Sequence, residues 1–261
     1  MTATNLDFYE SLAEHYHLIF EDWDRSIQRQ AEVLNPLIIK ETGRSSVYLL
    51  DFACGIGTQA IGFAQAGHRV VASDSSCAAV ERAQREARQR DLDISFFVSD
   101  MTSLDNVAGR GFDVVVALDN ALPHLAPLDV KKAARAAGAR LEPHGLFIAS
   151  IRDYDQLILQ RPTVQGPAFY GEGDARRIVH QVWDWIDNEK YTLHLYITMQ
   201  SDGQWIAHHF ATEYRCLLRD ELTSALTFAG FEQVQWLMPE QSGFYQPMVL
   251  ARMGHQRIAV G

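Results

Sequence analysis

The stretch Leu49-Leu50-Asp51-Phe52-Ala53-Cys54-Gly55-Ile56-Gly57-Thr58-Gln59-Ala60 runs from an apolar strand through a glycine pair into a helix. Glycine suits that turn because the backbone bends sharply and a ligand must come close to the main chain. Gly55 to Ala60 also satisfies GxGxxA, so by itself the motif fits a dinucleotide site, another ligand or a bare strand-to-helix turn. Outward from it, short apolar runs alternate with helical stretches: Val47–Phe52 and a helix from Thr58; Arg69–Ser73 and Ser76–Arg90; then Ile94–Val98. Phe112–Leu118 with Asp129–Leu141 follows, and then Leu146–Ile151. Strands alternating with helices predict βαβ units and a Rossmann-like α/β fold, its sheet mostly parallel with right-handed crossovers.

Three acids stand at successive strand ends. Asp51 precedes the glycine turn, where a pyrophosphate would meet unwanted negative charge but a cationic ligand would not. Asp74 ends the second strand, where a carboxylate can accept both hydroxyls of a ribose. Asp100 ends the third and can accept from an adenine amine, with Met101 beside the ring. Each alone is an ordinary loop acid; together they mark the carboxyl rim at which open α/β sheets bind ligands.

The flanks read differently. Leu12, Tyr16, Ile19, Phe20, Ile27, Ala31 and Leu34 have helical spacing, which predicts two N-terminal helices parted near Glu21–Asp24, with Pro36 and Gly43 as punctuation. From Ala175 to Tyr214 three strands are expected, Arg177–Trp185, Tyr191–Met199 and Gln204–Tyr214, with turns at Asp187–Lys190 and Ser201–Gly203. Leu193, Leu195, Ile197 and Met199 alternate with Thr192, His194, Tyr196 and Thr198, the period of a sheet with one wet face. Helix Arg219–Ala229, strand Phe231–Leu237 and a last strand Met248–Met253 resume the α/β pattern. The expected organisation is one domain over 1–261, with 1–43 as a helical lid and 175–214 as an antiparallel insertion.

Composition narrows the class. With 47% hydrophobic and 21% charged residues the chain is ordinary for a globular protein, and its net charge of −10 argues against a phosphate-binding surface and hence nucleic acid. Three cysteines without CxxC spacing read as reduced and cytoplasmic, without a zinc site. The pairs His15/His17 and His208/His209 lack a third ligand at metal spacing, so no metal is expected. No apolar run approaches the roughly 20 residues that span a bilayer.

LLDFACGIGTQAIGFAQAGHRVVASDSS, residues 49–76, resembles the cofactor motif of the class I S-adenosylmethionine (AdoMet)-dependent methyltransferases. Leu118-Asp119-Asn120-Ala121-Leu122-Pro123-His124-Leu125 and Ile151-Arg152-Asp153-Tyr154-Asp155 are similar to the glycine and glycine/sarcosine N-methyltransferases and their bacterial small-molecule relatives. The resemblance implies a class I sheet whose last strand is antiparallel, AdoMet as cofactor, and a nitrogen of a small molecule as acceptor. A ring nitrogen in a heterocycle or a phenolic oxygen remains an alternative acceptor.

It further implies that Ala53, Asp74, Asp100, Met101, Leu118 and His124 touch AdoMet, with Asp51, Gly55, Gly57 and Ser75 on the same rim. Arg29 would meet the cofactor's carboxylate. Tyr9, Tyr16, Phe20 and Trp23 would lie as a lid over the methyl group. Asn120, Arg152, His124 and Tyr16 make up the implied catalytic set, with Arg152 pairing an acceptor carboxylate through its planar guanidinium. Plainer readings stand beside these: Arg152 paired with Asp153 or Asp155, Asn120 as a turn residue, His124 as a cap or core histidine, the aromatics as core. The oligomeric state is open.

Overall fold

The computed structural model describes residues 5–201 and 203–254; of the expected turn Ser201–Gly203, Asp202 lies outside them. Two sheets organise the chain. The first contains β1 (Tyr48–Asp51), β2 (Arg69–Asp74), β3 (Ile94–Val98), β4 (Phe112–Ala117), β5 (Leu141–Ser150), β10 (Phe231–Leu237) and β11 (Met248–Met253). Its order is β10-β11-β5-β4-β1-β2-β3. β1 through β5 pair in parallel, and β11 lies antiparallel between β5 and β10. The order reverses on either side of β1, which puts the glycine turn at the switch point of the sheet.

The central strands are buried on both faces, Leu49, Leu50 and Val114 to Ala117 being inaccessible, because helices cover the sheet above and below. α3 (Thr58–Gln65), α4 (Cys77–Gln89), α5 (Pro127–Gly138) and α7 (Arg219–Phe228) make those layers, with α2 (Trp23–Thr42) packed along α3. None of the described helices is long and apolar enough to cross a membrane.

The N-terminal stretch forms α1 (Asn5–Leu12), a single 3-10 turn at Tyr16–Ile19, and then α2. Asp22 caps α2 by accepting the Arg25 N–H at 3.0 Å. Gly43 ends it in the left-handed region, but Pro36 lies inside the helix instead of breaking it. Leu34 and Ile38, buried on either side of Pro36, pack into the core, and that burial outweighs one lost backbone hydrogen bond.

The second sheet is antiparallel and larger than expected. It runs β6 (Val164–Tyr170), β7 (Arg177–Trp185), β8 (Lys190–Ser201), β9 (Gln204–Arg215), so it begins eleven residues before the expected 175. Most residues of β6 are exposed, and its sequence, with Gly166 and Pro167 in the middle, carries no alternation to announce a strand. A short α6 (Tyr154–Gln160) and one turn, α8 (Pro239–Ser242), were likewise not expected. In β8, Tyr191, Leu193, Leu195 and Ile197 are buried and the alternate residues are half-buried, so one face closes on the main sheet.

Candidate active site

Two cavities lie above the carboxyl ends of the parallel strands. The smaller, about 340 Å³, sits over the switch point. Ala53, Gly55, Asp74, Ser75, Asp100, Met101, Leu118 and His124 all line it. Gly55 has φ 51° and an added Cβ would meet no atom within 4 Å, so its main chain is bare to the cleft. Gly57 serves another purpose: at φ 94°, a Cβ there would meet Ala83 at 3.2 Å and Ile61 at 3.3 Å, so it lets α3 close on α4 and does not line the cleft.

The rim is acidic. Asp74 accepts the Gly55 N–H and the Ser76 N–H, each at 2.9 Å, which leaves lone pairs on both oxygens for a ligand. Asp100 accepts the Thr102 N–H at 2.7 Å. Asp51 lies behind the wall, 1% exposed, with a weak contact to the Ala53 N–H at 3.4 Å and no partner for Oδ2. Burial raises its carboxyl to about 7, and Asp74 is also raised, by burial first. Among the described residues no lysine or arginine pairs with either acid. The field there favours a cationic ligand.

The larger cavity, about 720 Å³, opens between the sheet rim, the N-terminal segment and the inner face of the second sheet. Asn120 and Arg152 line it. Tyr9, Tyr16 and Asp119 line both cavities and form the seam between them. Arg152 is wedged over the rings of Trp183 at 4.8 Å and Tyr214 at 5.1 Å, and donates to the Tyr191 hydroxyl at 2.7 Å. Asp153 and Asp155 instead pair with Arg219, at 2.7 and 3.4 Å. Among the described residues no carboxylate lies within 4 Å of the Arg152 guanidinium, which leaves a half-buried cation facing an open space.

Asn120 is more than a turn residue. It is 2% exposed, donates to the Tyr154 hydroxyl at 3.0 Å and accepts the Arg152 N–H at 2.9 Å, so it sets the backbone that carries Arg152. Asp119 and Asn120 are both left-handed, φ 57° and 68°, a conformation that aspartate and asparagine adopt more readily than other non-glycine residues. Ser150 holds them there, its Oγ accepting the Asp119 N–H at 2.8 Å and its carbonyl the Asn120 N–H at 3.1 Å.

His124 shares a 2.8 Å hydrogen bond between Nε2 and the Tyr9 hydroxyl, and its ring lies against Tyr214. Burial, with the nearby Arg152 charge, lowers its pKa to about 3. It therefore stays neutral through the physiological range. Imidazole ¹⁵N shifts should keep the neutral pattern from pH 8 down to pH 5; a titration midpoint above 5 would contradict this environment.

Two expected contacts fall elsewhere. Trp23 lines neither cavity: its Nε1 donates to Thr58 Oγ1 at 2.9 Å and its ring carries Arg90, so it pins the start of α2 to the start of α3. Its large apolar ring gains more from that buried seam, beside Ile27, Ile56 and Ile61, than from a wet cleft. Arg29 is exposed and lines the larger cavity, not the one expected for the cofactor. Tyr16 and Phe20 line the larger cavity. Missing from the expected set are Asp119, Tyr191, Tyr214 and Tyr245.

The strand order, the antiparallel β11 and the cleft at the switch point define the fold of the class I methyltransferases. Residues 49–145 match the family described as a methyltransferase domain. A glycine/sarcosine N-methyltransferase from Parasynechococcus marenigrum (strain WH8102) is 33% identical over 138 residues, 52% of this chain and 48% of that protein. A 2-heptyl-1-hydroxyquinolin-4(1H)-one methyltransferase from Mycobacteroides abscessus is 27% identical over 161 residues, 60% of this chain and 66% of that one. The chain thus matches about half the length of the first of these relatives. The sugar N-methyltransferase KedS8 from Streptoalloteichus sp ATCC 53650 superposes with a TM-score of 0.76 over 93% of this chain and 94% of its own, at 17% identity.

Proposed function

We propose that the chain is an AdoMet-dependent methyltransferase that methylates a nitrogen of a small molecule held in the larger cavity. The observation that carries this reading is the pair of cavities sharing Tyr9, Tyr16 and Asp119 as their common wall, so that a donor in one meets an acceptor in the other.

Bound AdoMet supplies an electrophilic methyl group on a sulfonium. The fit of the smaller cleft rests on its acids, the orphaned Asp51 Oδ2 and the uncovered turn at Gly55. Asp74 would take the ribose hydroxyls and Asp100 the adenine amine, while Met101 and Leu118 flank the base. Asp51 and Asp74 would favour the positive methionine portion. Tyr9 and Tyr16 exclude water from the seam, and Asn120 and Arg152 orient the acceptor. Alignment of a lone pair with the methyl–sulfur bond is the main lever for such a displacement. Desolvation pushes the pKa values of the half-buried Tyr9 and Tyr16 phenols well up and they remain protonated, so neither is a base for oxygen.

A second reading, methylation of a ring nitrogen in a heterocycle, is favoured by cavity size. About 720 Å³ is ample for a drug-sized molecule, and glycine alone would leave most of it empty. The purified chain incubated with methyl-labelled AdoMet and glycine, sarcosine, larger amines and nitrogen heterocycles should place label on nitrogen. Label carried on oxygen alone would overturn the proposal.

A further inference from the structure

Asp119 is the residue at the seam whose role neither cavity alone explains. The left-handed backbone at Asp119 and Asn120, held by Ser150, turns this side chain off the end of β4 and into the wall shared by both cavities. Ser150 is itself fixed, its hydroxyl donating to Gln246 Oε1 at 2.9 Å. At the seam Asp119 Oδ1 accepts the Tyr245 hydroxyl at 2.6 Å, and Oδ2 has a long contact with the Tyr16 hydroxyl at 3.4 Å. A carboxylate offers about four lone-pair sites, and two phenols leave half of them. Among the described residues no lysine, arginine or histidine comes within 4 Å of Asp119. Arg152, in the same cavity, likewise has no carboxylate within that distance, so opposite charges share one wall without closing on each other. A molecule carrying both charges completes each of them.

We infer that Asp119 receives the acceptor's amine as an ammonium ion and takes one of its protons before methyl transfer, while Arg152 holds the acceptor's anionic end. The inference rests on the proposed nitrogen methylation and adds to it the residue that takes the ammonium proton; the role of Arg152 is the one the resemblance already implies. In the first step an N–H bond breaks, an O–H bond forms on Asp119 and the nitrogen regains its lone pair. That pair then forms the N–CH₃ bond while the C–S electrons return to sulfur, leaving a neutral thioether and a methylated ammonium. Asp119 afterwards releases its proton to water.

The surroundings suit a carboxylate that exchanges protons. Burial raises its pKa, and the Tyr245 hydroxyl, Arg152 and the Tyr16 hydroxyl bring it partly back. Tyr214 faces it from β9, and Asp153, Glu240 and Arg29 stand elsewhere on the cavity wall. Sequence alone hid this, because Asp119 reads as one more acid beside Asn120, the residue that the resemblance singles out.

The test uses the full chain and Asp119→Asn, a substitution that left-handed backbone tolerates. Calorimetry compares glycine, β-alanine and γ-aminobutyrate, three charge spacings, with the matching carboxylates and amines. At least one zwitterion should bind the wild type ten times tighter or more than either single-charge analogue. Asp119→Asn should abolish the advantage over the carboxylate, with AdoMet affinity and melting temperature retained. Its methylation rate should then follow the free amine, rising tenfold per pH unit until that amine titrates. Absence of any zwitterion preference, or its survival in Asp119→Asn, overturns the assignment even if nitrogen is methylated. A preference that Asp119→Asn removes upholds Asp119 as the ammonium site, and label that never reaches nitrogen then overturns the proposed function and the proton transfer with it.

Discussion

Arg152→Ala is expected to raise the acceptor KM about 100-fold, with AdoMet affinity changed by less than about threefold. Truncating a buried, hydrogen-bonded charge that meets a partner charge costs about 2–5 kcal/mol, or roughly 30-fold to several thousandfold in binding. Arg152 is half-buried, which puts it in the lower half of that range. Its guanidinium is stacked against Trp183 and Tyr214, oriented by Tyr191, and without a carboxylate partner within 4 Å among the described residues. Arg152→Lys should fall between, because an ammonium keeps the charge but loses the flat, forked face that lies on two rings. Steady-state kinetics and AdoMet calorimetry on both variants check this. An unchanged KM with the true acceptor would remove Arg152 from recognition. The same side chain also bridges the sheets, since it leaves the end of β5 and its partners belong to β7, β8 and β9. Some loss of melting temperature should therefore accompany the kinetic effect in Arg152→Ala and be smaller in Arg152→Lys.

What could be read in advance follows the range of each interaction. The glycine turn, the three acids and the βα alternation are local, and the structure places Asp74, Asp100, Met101 and Leu118 around one cleft. Arg152 and Asn120 stand out in the sequence for the same reason, lying two and three residues past a strand end. Tyr191 and Tyr214 were not, because what makes them site residues is register: they are cross-strand partners in β8 and β9, far from Arg152 in sequence. Tyr245 reaches Asp119 across 126 positions. Trp23 enters the expected lid by resemblance alone, and the structure packs it on Thr58, outside both cavities. The weak edge β6 was invisible, since an exposed strand with Gly166 and Pro167 lacks the hydrophobic alternation on which strand recognition rests.

Asp51→Asn should change the pH dependence of stability more than any other single substitution at the cofactor rim. The wild-type carboxyl is 1% exposed, one oxygen has no partner, and burial raises its pKa from 3.8 to about 7. Between those values the folded chain keeps a proton that the unfolded chain has lost. Stability from this group is therefore full below about pH 4 and drains away as pH rises through 7. The gap of about three pH units corresponds to roughly 4 kcal/mol as an upper bound. Asparagine carries no such charge, so Asp51→Asn should match the wild type near pH 4.5 and exceed it by pH 8, as denaturant melts at both values would record. AdoMet should narrow the gap at pH 8, because its positive charge beside the rim stabilises the ionised carboxylate that asparagine lacks. A wild-type-to-variant difference that stays constant between pH 4.5 and 8 would show that Asp51 is already ionised without penalty. The argument that the rim awaits a cation would then lose its strongest support.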